Sequence, residues 1–228
     1  DGKRIAVFSE AGMITSNRLA LTQKGDIKKI VDIDFDKVQG DVDKIKFSTY
    51  QGKKYLATGF IEADFINSDK IVFIGHEYDS GGNPYKIFTY DDLRNELKYI
   101  KTIEKVGDEY FQSFIYLPKL NSVLINSQNF GNANIGNRKG RFILVDLVTG
   151  TQKEVAADII QEIAGDRETN IEDVLPDGKT VVLSVKKTLV KPKEIELVAK
   201  KIFSLDLEKN QYTILSEDKE TIYAGFAE

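Results

Sequence analysis

The chain has 228 residues, is 41% hydrophobic and 10% aromatic, and contains no cysteine. Such a composition suits a packed globule and removes disulfides, thiol nucleophiles and thiolate metal sites. A net charge of −4 supplies no general basic field for nucleic acid, and no stretch reaches the roughly 20 apolar residues of a transmembrane helix.

Taken in order, the chain is dominated by short β-branched, alternating runs bounded by Gly, Asn, Asp and Pro, the grammar of strands. Asp1–Ser9 (DGKRIAVFS) opens a first unit, followed by Asn17–Gln23, a turn at Lys24-Gly25-Asp26, and Ile27–Ile33. Val38–Phe60 fits no clean unit; within it Lys44–Tyr50, Gln51-Gly52 and Lys53–Phe60 read as an extra hairpin. The second unit runs Ala63–Ile66, Asn67–Gly75, Tyr85–Tyr90 and Lys98–Ile103. The third runs Tyr110–Leu117, Leu120–Ser127, Arg141–Leu147 and Thr151–Val155, and the fourth Ile171–Leu175, Asp177–Ser184, Lys201–Leu207 and Gln211–Leu215. Two segments, Asp91–Leu97 and Ala156–Ala164, carry apolar residues at helical spacing. Both are too short to frame a fold.

The anchors Lys3, Lys70, Asn121 and Lys179 recur about 50 to 70 residues apart. Each unit is therefore expected to be a four-stranded antiparallel sheet. The first lacks its leading strand at the N-terminus, and Ile222–Glu228 (IYAGFAE) has the character of that strand. One expectation is a small ring closed by pairing the two terminal strands, which removes exposed sheet edges. The other is an open array with further units upstream.

The stretch LPDGKTVVLS…KKIFSLDLEKNQYTIL over Leu175–Leu215 resembles the TolB-like, WD40-like (PD40) β-propeller repeat of bacterial proteins. The fourth unit matches over nearly its whole length and the third from Arg141 to Val155, with Asp146 and Asp206 ending the corresponding strands. The first and second units match more loosely. The resemblance implies an all-β propeller of four-stranded blades, four clear and a degenerate fifth, forming residues 1–228 as a single domain or propeller fragment. With the lack of cysteine, it also implies an extracytoplasmic bacterial setting, at the cell surface or secreted.

The turn between the first and second strands of each unit is tight, whereas the next connection is long. These connections are Glu10–Ser16, His76–Pro84, Gln128–Gly140 and Lys186–Lys200. In a propeller they share one face, and loops on a rigid scaffold are where recognition concentrates. The candidate binding residues follow. His76, Glu77, Tyr78 and Asp79 sit in one loop; Asn129, Phe130, Asn132, Asn134, Asn137 and Arg138 in another; Lys191 and Lys193 in a third. Asn amides and arginine offer paired donors and acceptors, and loop-tip aromatics offer contact anchors. The Lys-rich run Lys186–Lys201 reads as a solvated hairpin extension with alternating Glu, and functionally as a small basic patch for an acidic partner. One histidine beside Glu77 and Asp79 is too thin a set to assign a metal.

No catalytic residue is assigned. The sequence has no Gly-x-Ser-x-Gly elbow, phosphate loop or dinucleotide fingerprint, so no cofactor is expected. The expected function is a noncatalytic binding domain recognising a protein, peptide or glycan through the looped face. One alternative is a propeller glycosidase or lyase using paired carboxylates near the channel. Another is the sensor ectodomain of a regulator anchored in a membrane by a segment upstream.

Overall fold

The computed structural model describes residues 3–7, 18–23, 26–45, 47–50, 52–56, 60–76, 84–103, 106, 109–129, 140–165, 167–191 and 194–217. The chain divides into two compact units, Asp1–Val106 and Gly107–Glu228.

The first unit begins with a three-stranded antiparallel sheet of β1 (Lys3–Val7), β2 (Arg18–Gln23) and β3 (Asp26–Asp32). Short 3-10 turns at Phe35–Lys37 and Val42–Lys44 lead into the hairpin of β4 (Phe47–Tyr50) and β5 (Lys53–Leu56), the extra hairpin expected there. A four-stranded antiparallel sheet follows: β6 (Phe60–Phe65), β7 (Lys70–His76), β8 (Tyr85–Asp91) and β9 (Glu96–Ile103), in sequence order. Aromatic residues hold this unit together. Phe88 stacks on Phe73 at 5.2 Å between ring centroids and takes the edge of Phe35 at 5.7 Å. Phe35, fully buried, thus fixes the 3-10 segment against the sheet. Just beyond it the Gln39 N–H donates to Leu97 O and the Tyr99 N–H to Gln39 O, each at 2.8 Å. The segment thereby occupies part of the outer edge of β9, where an open strand would invite foreign pairing.

The second unit contains two four-stranded antiparallel sheets. One is β10 (Glu109–Leu117), β11 (Ser122–Asn129), β12 (Gly140–Asp146) and β13 (Gln152–Val155). The other is β14 (Glu168–Val174), β15 (Thr180–Lys191), β16 (Glu194–Asp206) and β17 (Gln211–Ser216). Helix α1 (Ala157–Ile163) joins them. Its Ile159, Ile160 and Ile163 enter one apolar cluster with Leu124, Phe142 and Leu144 of the first sheet and Val181, Leu183 and Phe203 of the second. The apolar spacing of Ala156–Ala164 therefore marks a real helix, short because its purpose is to fill the wedge between two sheets.

The turns at the other end of these sheets also interlock. Lys119 N donates to Gly178 O at 3.1 Å. Gly178 has φ +71°, and a Cβ placed there would lie 2.9 Å from Lys119 N and 3.0 Å from Pro118 Cγ. The glycine of the Pro-Asp-Gly turn is thus required twice, by its backbone conformation and by the neighbouring turn.

One expectation is corrected. Asp91–Leu97 is not helical: β8 ends at Asp91, a turn follows, and β9 begins at Glu96. The Asp91 carboxylate accepts from Arg94 N at 3.1 Å, Asn95 takes φ +52°, and Leu93 is 78% exposed, so no apolar stripe is buried. The connection over Lys186–Lys200 is the hairpin extension expected there. The β15–β16 pairing continues through Lys186↔Lys200 to Lys191↔Glu194, leaving only Pro192 and Lys193 as the connection. The β-branched runs on both arms sustain the ladder. Of the units expected to have four strands, three do; the first has three among the described residues, and Ile222–Glu228 lie outside them.

Candidate binding face

In each four-stranded sheet the second and third strands are joined at one end by the expected long connection, shortened in the last sheet by its ribbon. His76 is the last residue of β7 and pairs with Tyr85; Asn129 ends β11 and pairs with Glu109; Lys191 ends β15 and pairs with Glu194. These three candidates therefore stand at strand ends, at the mouths of the connections. Glu77, Tyr78, Asp79, Phe130, Asn132, Asn134, Asn137, Arg138 and Lys193 lie outside the described residues.

Beneath these mouths the sheets are polar where strands are ordinarily apolar. In the first unit Lys86, next to the 77–84 connection, is buried, and its Nζ donates to Thr102 Oγ1 at 2.9 Å. Thr102 Oγ1 also shares a hydrogen bond with Tyr99 Oη. The cross-strand pair Lys86↔Thr102 stands one residue from Tyr85, at the strand end that leads from the connection.

In the second unit the end of the β10–β13 sheet is polar on both faces. On one face Arg141 Nε donates to Glu109 Oε1 at 2.9 Å and Arg141 Nη2 to Glu109 Oε2 at 2.6 Å. Ser127 Oγ adds a bond to Glu109 Oε2 at 3.3 Å. A bidentate guanidinium–carboxylate pair has one favoured geometry, so it fixes the ends of β10 and β12 on either side of β11, where the 130–139 connection departs. On the other face Asn126 and Gln128 each donate their side-chain N–H to the Thr169 carbonyl of β14, Asn126 at 2.7 Å. Gln112 Nε2 donates to Asn170 Oδ1 at 3.0 Å. Asn126, Gln128 and Thr169 are 0% exposed.

These amide contacts decide an orientation. Thr169 pairs with Val185 at the ribbon end of β15, and Gln128 pairs with Gly140 at the looped end of β11. The strand ends at Asn129 and Gly140 and the base of the β15–β16 ribbon therefore lie at the same end of the second unit. Sequence reasoning missed Glu109, Arg141, Asn126, Gln128 and Thr169. Their only signal is polar side chains in β-strand register at the mouth of a long connection.

At the opposite, tight-turn end lies a cavity of about 700 Å³ lined by Leu144, Asp146, Lys153, Leu207 and Glu208. Its acidic groups are engaged in turns. Asp146 Oδ1 accepts from Val148 N at 2.9 Å and Thr149 N at 2.7 Å, and the bond from Thr149 leads in holding its pKa below the ordinary value. Lys179 Nζ reaches Glu208 at 2.5 Å and Asp206 at 3.5 Å. Among the described residues no group of three His, Asp or Glu side chains is placed to hold a metal, and no helix is long and apolar enough to cross a membrane.

No family model matches the chain, and no curated protein matches its sequence. Among solved structures, the Pyrococcus horikoshii acylaminoacyl peptidase aligns at 11% identity and TM-score 0.43, over 70% of this chain and 24% of that one. An oligogalacturonate lyase in complex with manganese aligns at 12% identity and TM-score 0.48, over 89% of this chain and 50% of that one. The tricorn protease aligns at 13% identity and TM-score 0.46, over 96% of this chain and 18% of that one. The chain thus spans half or less of each of these proteins.

Proposed function

We propose that this chain is a noncatalytic binding domain that recognises a protein, peptide or glycan through the connections at the looped end of its sheets. The observation that carries this reading is that the strand ends flanking residues 130–139 and the base of the β15–β16 ribbon share one end of the second unit, tied by side-chain amide hydrogen bonds to Thr169. The buried polar groups at these strand ends hold the anchors of the connections in one geometry, which lowers the ordering cost of binding. At the tight-turn end the carboxylates of Asp146, Asp177 and Asp206 instead accept from the backbone of their own turns.

We further propose a TolB-like propeller working outside the bacterial cytoplasm, closed by Ile222–Phe226 pairing along the free edge of β1. The repeated sheets, the Pro-Asp-Gly-Lys turn at Pro176–Lys179 and the open edge of β1 among the described strands support that arrangement.

A thermal-shift screen of peptides and glycans tests the function. A ligand at 100 times its dissociation constant stabilises the fold by about 2.7 kcal/mol. The expected hit loses its shift when 130–139 is replaced by Asn-Gly. A hit indifferent to every change at the looped end, or one that the chain cleaves, overturns the proposal.

A further inference from the structure

We propose that the β15–β16 ribbon captures an acidic, extended segment of a partner protein by strand addition along its open edge. This rests on the binding function proposed above and names its partner class.

The geometry comes first. β14 accompanies β15 only as far as Lys186, opposite Glu168, and β17 accompanies β16 only as far as Ile202, opposite Ser216. Beyond those points β15 and β16 remain paired with each other through Thr188↔Leu197, Leu189↔Glu196, Val190↔Ile195 and Lys191↔Glu194. Residues 187–191 therefore form an arm that projects about 16 Å at about 3.3 Å per residue. Among the described residues no strand pairs with either outer edge of this arm. An antiparallel edge presents alternating N–H and C=O groups at the spacing of another polypeptide backbone, the recognition used in β-augmentation. A glycan has no such repeat.

Charge then selects the partner. Within the arm β15 carries Lys187 and Lys191, whereas β16 carries Glu194 and Glu196, so the basic edge is that of β15. Two β15 edges laid together would bring lysines together, which opposes pairing with a second copy through that edge. An acidic strand would meet opposite charge along the same edge. The register shift between Lys187 and Thr188 increases the twist of the arm as it leaves the sheet.

The test is fluorescence anisotropy with a labelled decapeptide of alternating Glu and Val. Comparison probes are the Lys-Val counterpart and the Glu-Val peptide N-methylated on alternate residues. Binding of the acidic peptide is expected, with little for the Lys-Val peptide and a loss of about tenfold on N-methylation. Lys187→Glu with Lys191→Glu should weaken the acidic peptide by about tenfold. Should that variant fail to fold, Lys187→Gln with Lys191→Gln should give a smaller loss in the same direction. Equal binding of the N-methylated peptide, unchanged affinity in the folded lysine variants, or absence of acidic-peptide binding overturns the inference. A ligand that depends on 130–139 but ignores the ribbon variants would overturn strand addition alone; cleavage of a bound ligand would overturn the noncatalytic function itself.

Discussion

Arg141 holds Glu109 by two parallel hydrogen bonds, at 2.9 and 2.6 Å, across the strand that carries Ser127 between them. The carboxylate side chain is 7% exposed and the guanidinium side chain 21%. Removing one partner leaves a largely desolvated charge, which costs about 3–5 kcal/mol for fully buried pairs. Arg141→Met is expected near the lower end, at about 3 kcal/mol, because its side chain keeps some solvent. The double variant Glu109→Leu/Arg141→Met should recover much of that loss, since neither charge remains buried alone. Urea unfolding of Arg141→Met, Glu109→Leu and the double variant checks this; a double variant as unstable as the sum of the two singles would show that the pair is not coupled.

Gly178→Ala should destabilise by about 2–3 kcal/mol, combining a non-glycine residue at positive φ with collision against a backbone nitrogen. Gly52→Ala is the control. Its φ is +78°, but a Cβ there meets nothing within 4 Å, so only the conformational penalty of about 1 kcal/mol applies. Melting temperatures of the two variants should separate clearly, and equal shifts would mean that the contact with Pro118 and Lys119 is unimportant.

Asp146, Asp177 and Asp206 each have a pKa below the ordinary carboxylate value. For Asp146 and Asp206 the leading cause is a backbone N–H donated by Thr149 and Lys209 respectively. At Asp177 desolvation pulls the other way but is outweighed by bonds from Thr180 and Lys179 and by the Lys179 charge. Because the folded values lie below the unfolded ones, the stabilisation is complete above the ordinary carboxylate range. It disappears as pH falls through the folded values. The melting temperature should therefore drop as the medium is acidified below about pH 4. Asp146→Asn/Asp177→Asn/Asp206→Asn, which keeps a side-chain acceptor, should flatten that drop; an unchanged acid limb would locate its cause elsewhere.

Phe88→Ala should cost about 3–5 kcal/mol, the range for an aromatic deleted from a tight core. Phe88 touches Phe73, Phe35 and Tyr99 at once, so its loss also frees the 3-10 segment. Increased hydrogen exchange at Gln39, whose N–H bonds Leu97 O, would accompany the fall in stability. Retained protection there would show that the segment is held by other contacts.

Alternating β-branched runs, tight Asn, Asp and Gly turns and the repeating anchors were enough to place nearly every strand, because pleat periodicity and turn conformation are local properties. The same local chemistry explains Asp146 and Asp206, whose carboxylates cap the turn immediately following them. Asp91 belongs to the same series, since its carboxylate and the positive φ of Asn95 repeat that turn. It was obscured by Leu93, whose helical spacing is coincidental. Apolar spacing in Ala157–Ile163 was decisive only because two sheets supply a wedge for it to fill. The lysine-rich ribbon was legible as a hairpin extension, but the reach of its ladder to Lys191↔Glu194 depends on which backbone lies opposite. Sequence by itself thus determined the strands, their turns and their repetition. Tertiary structure alone decided that Asn126 and Gln128 meet Thr169, that Glu109 meets Arg141, and that the ribbon starts at the same end of the unit as the strand ends Asn129 and Gly140. Those partners are tens of residues apart, so only packing could make a polar strand end a buried mount rather than a solvated one.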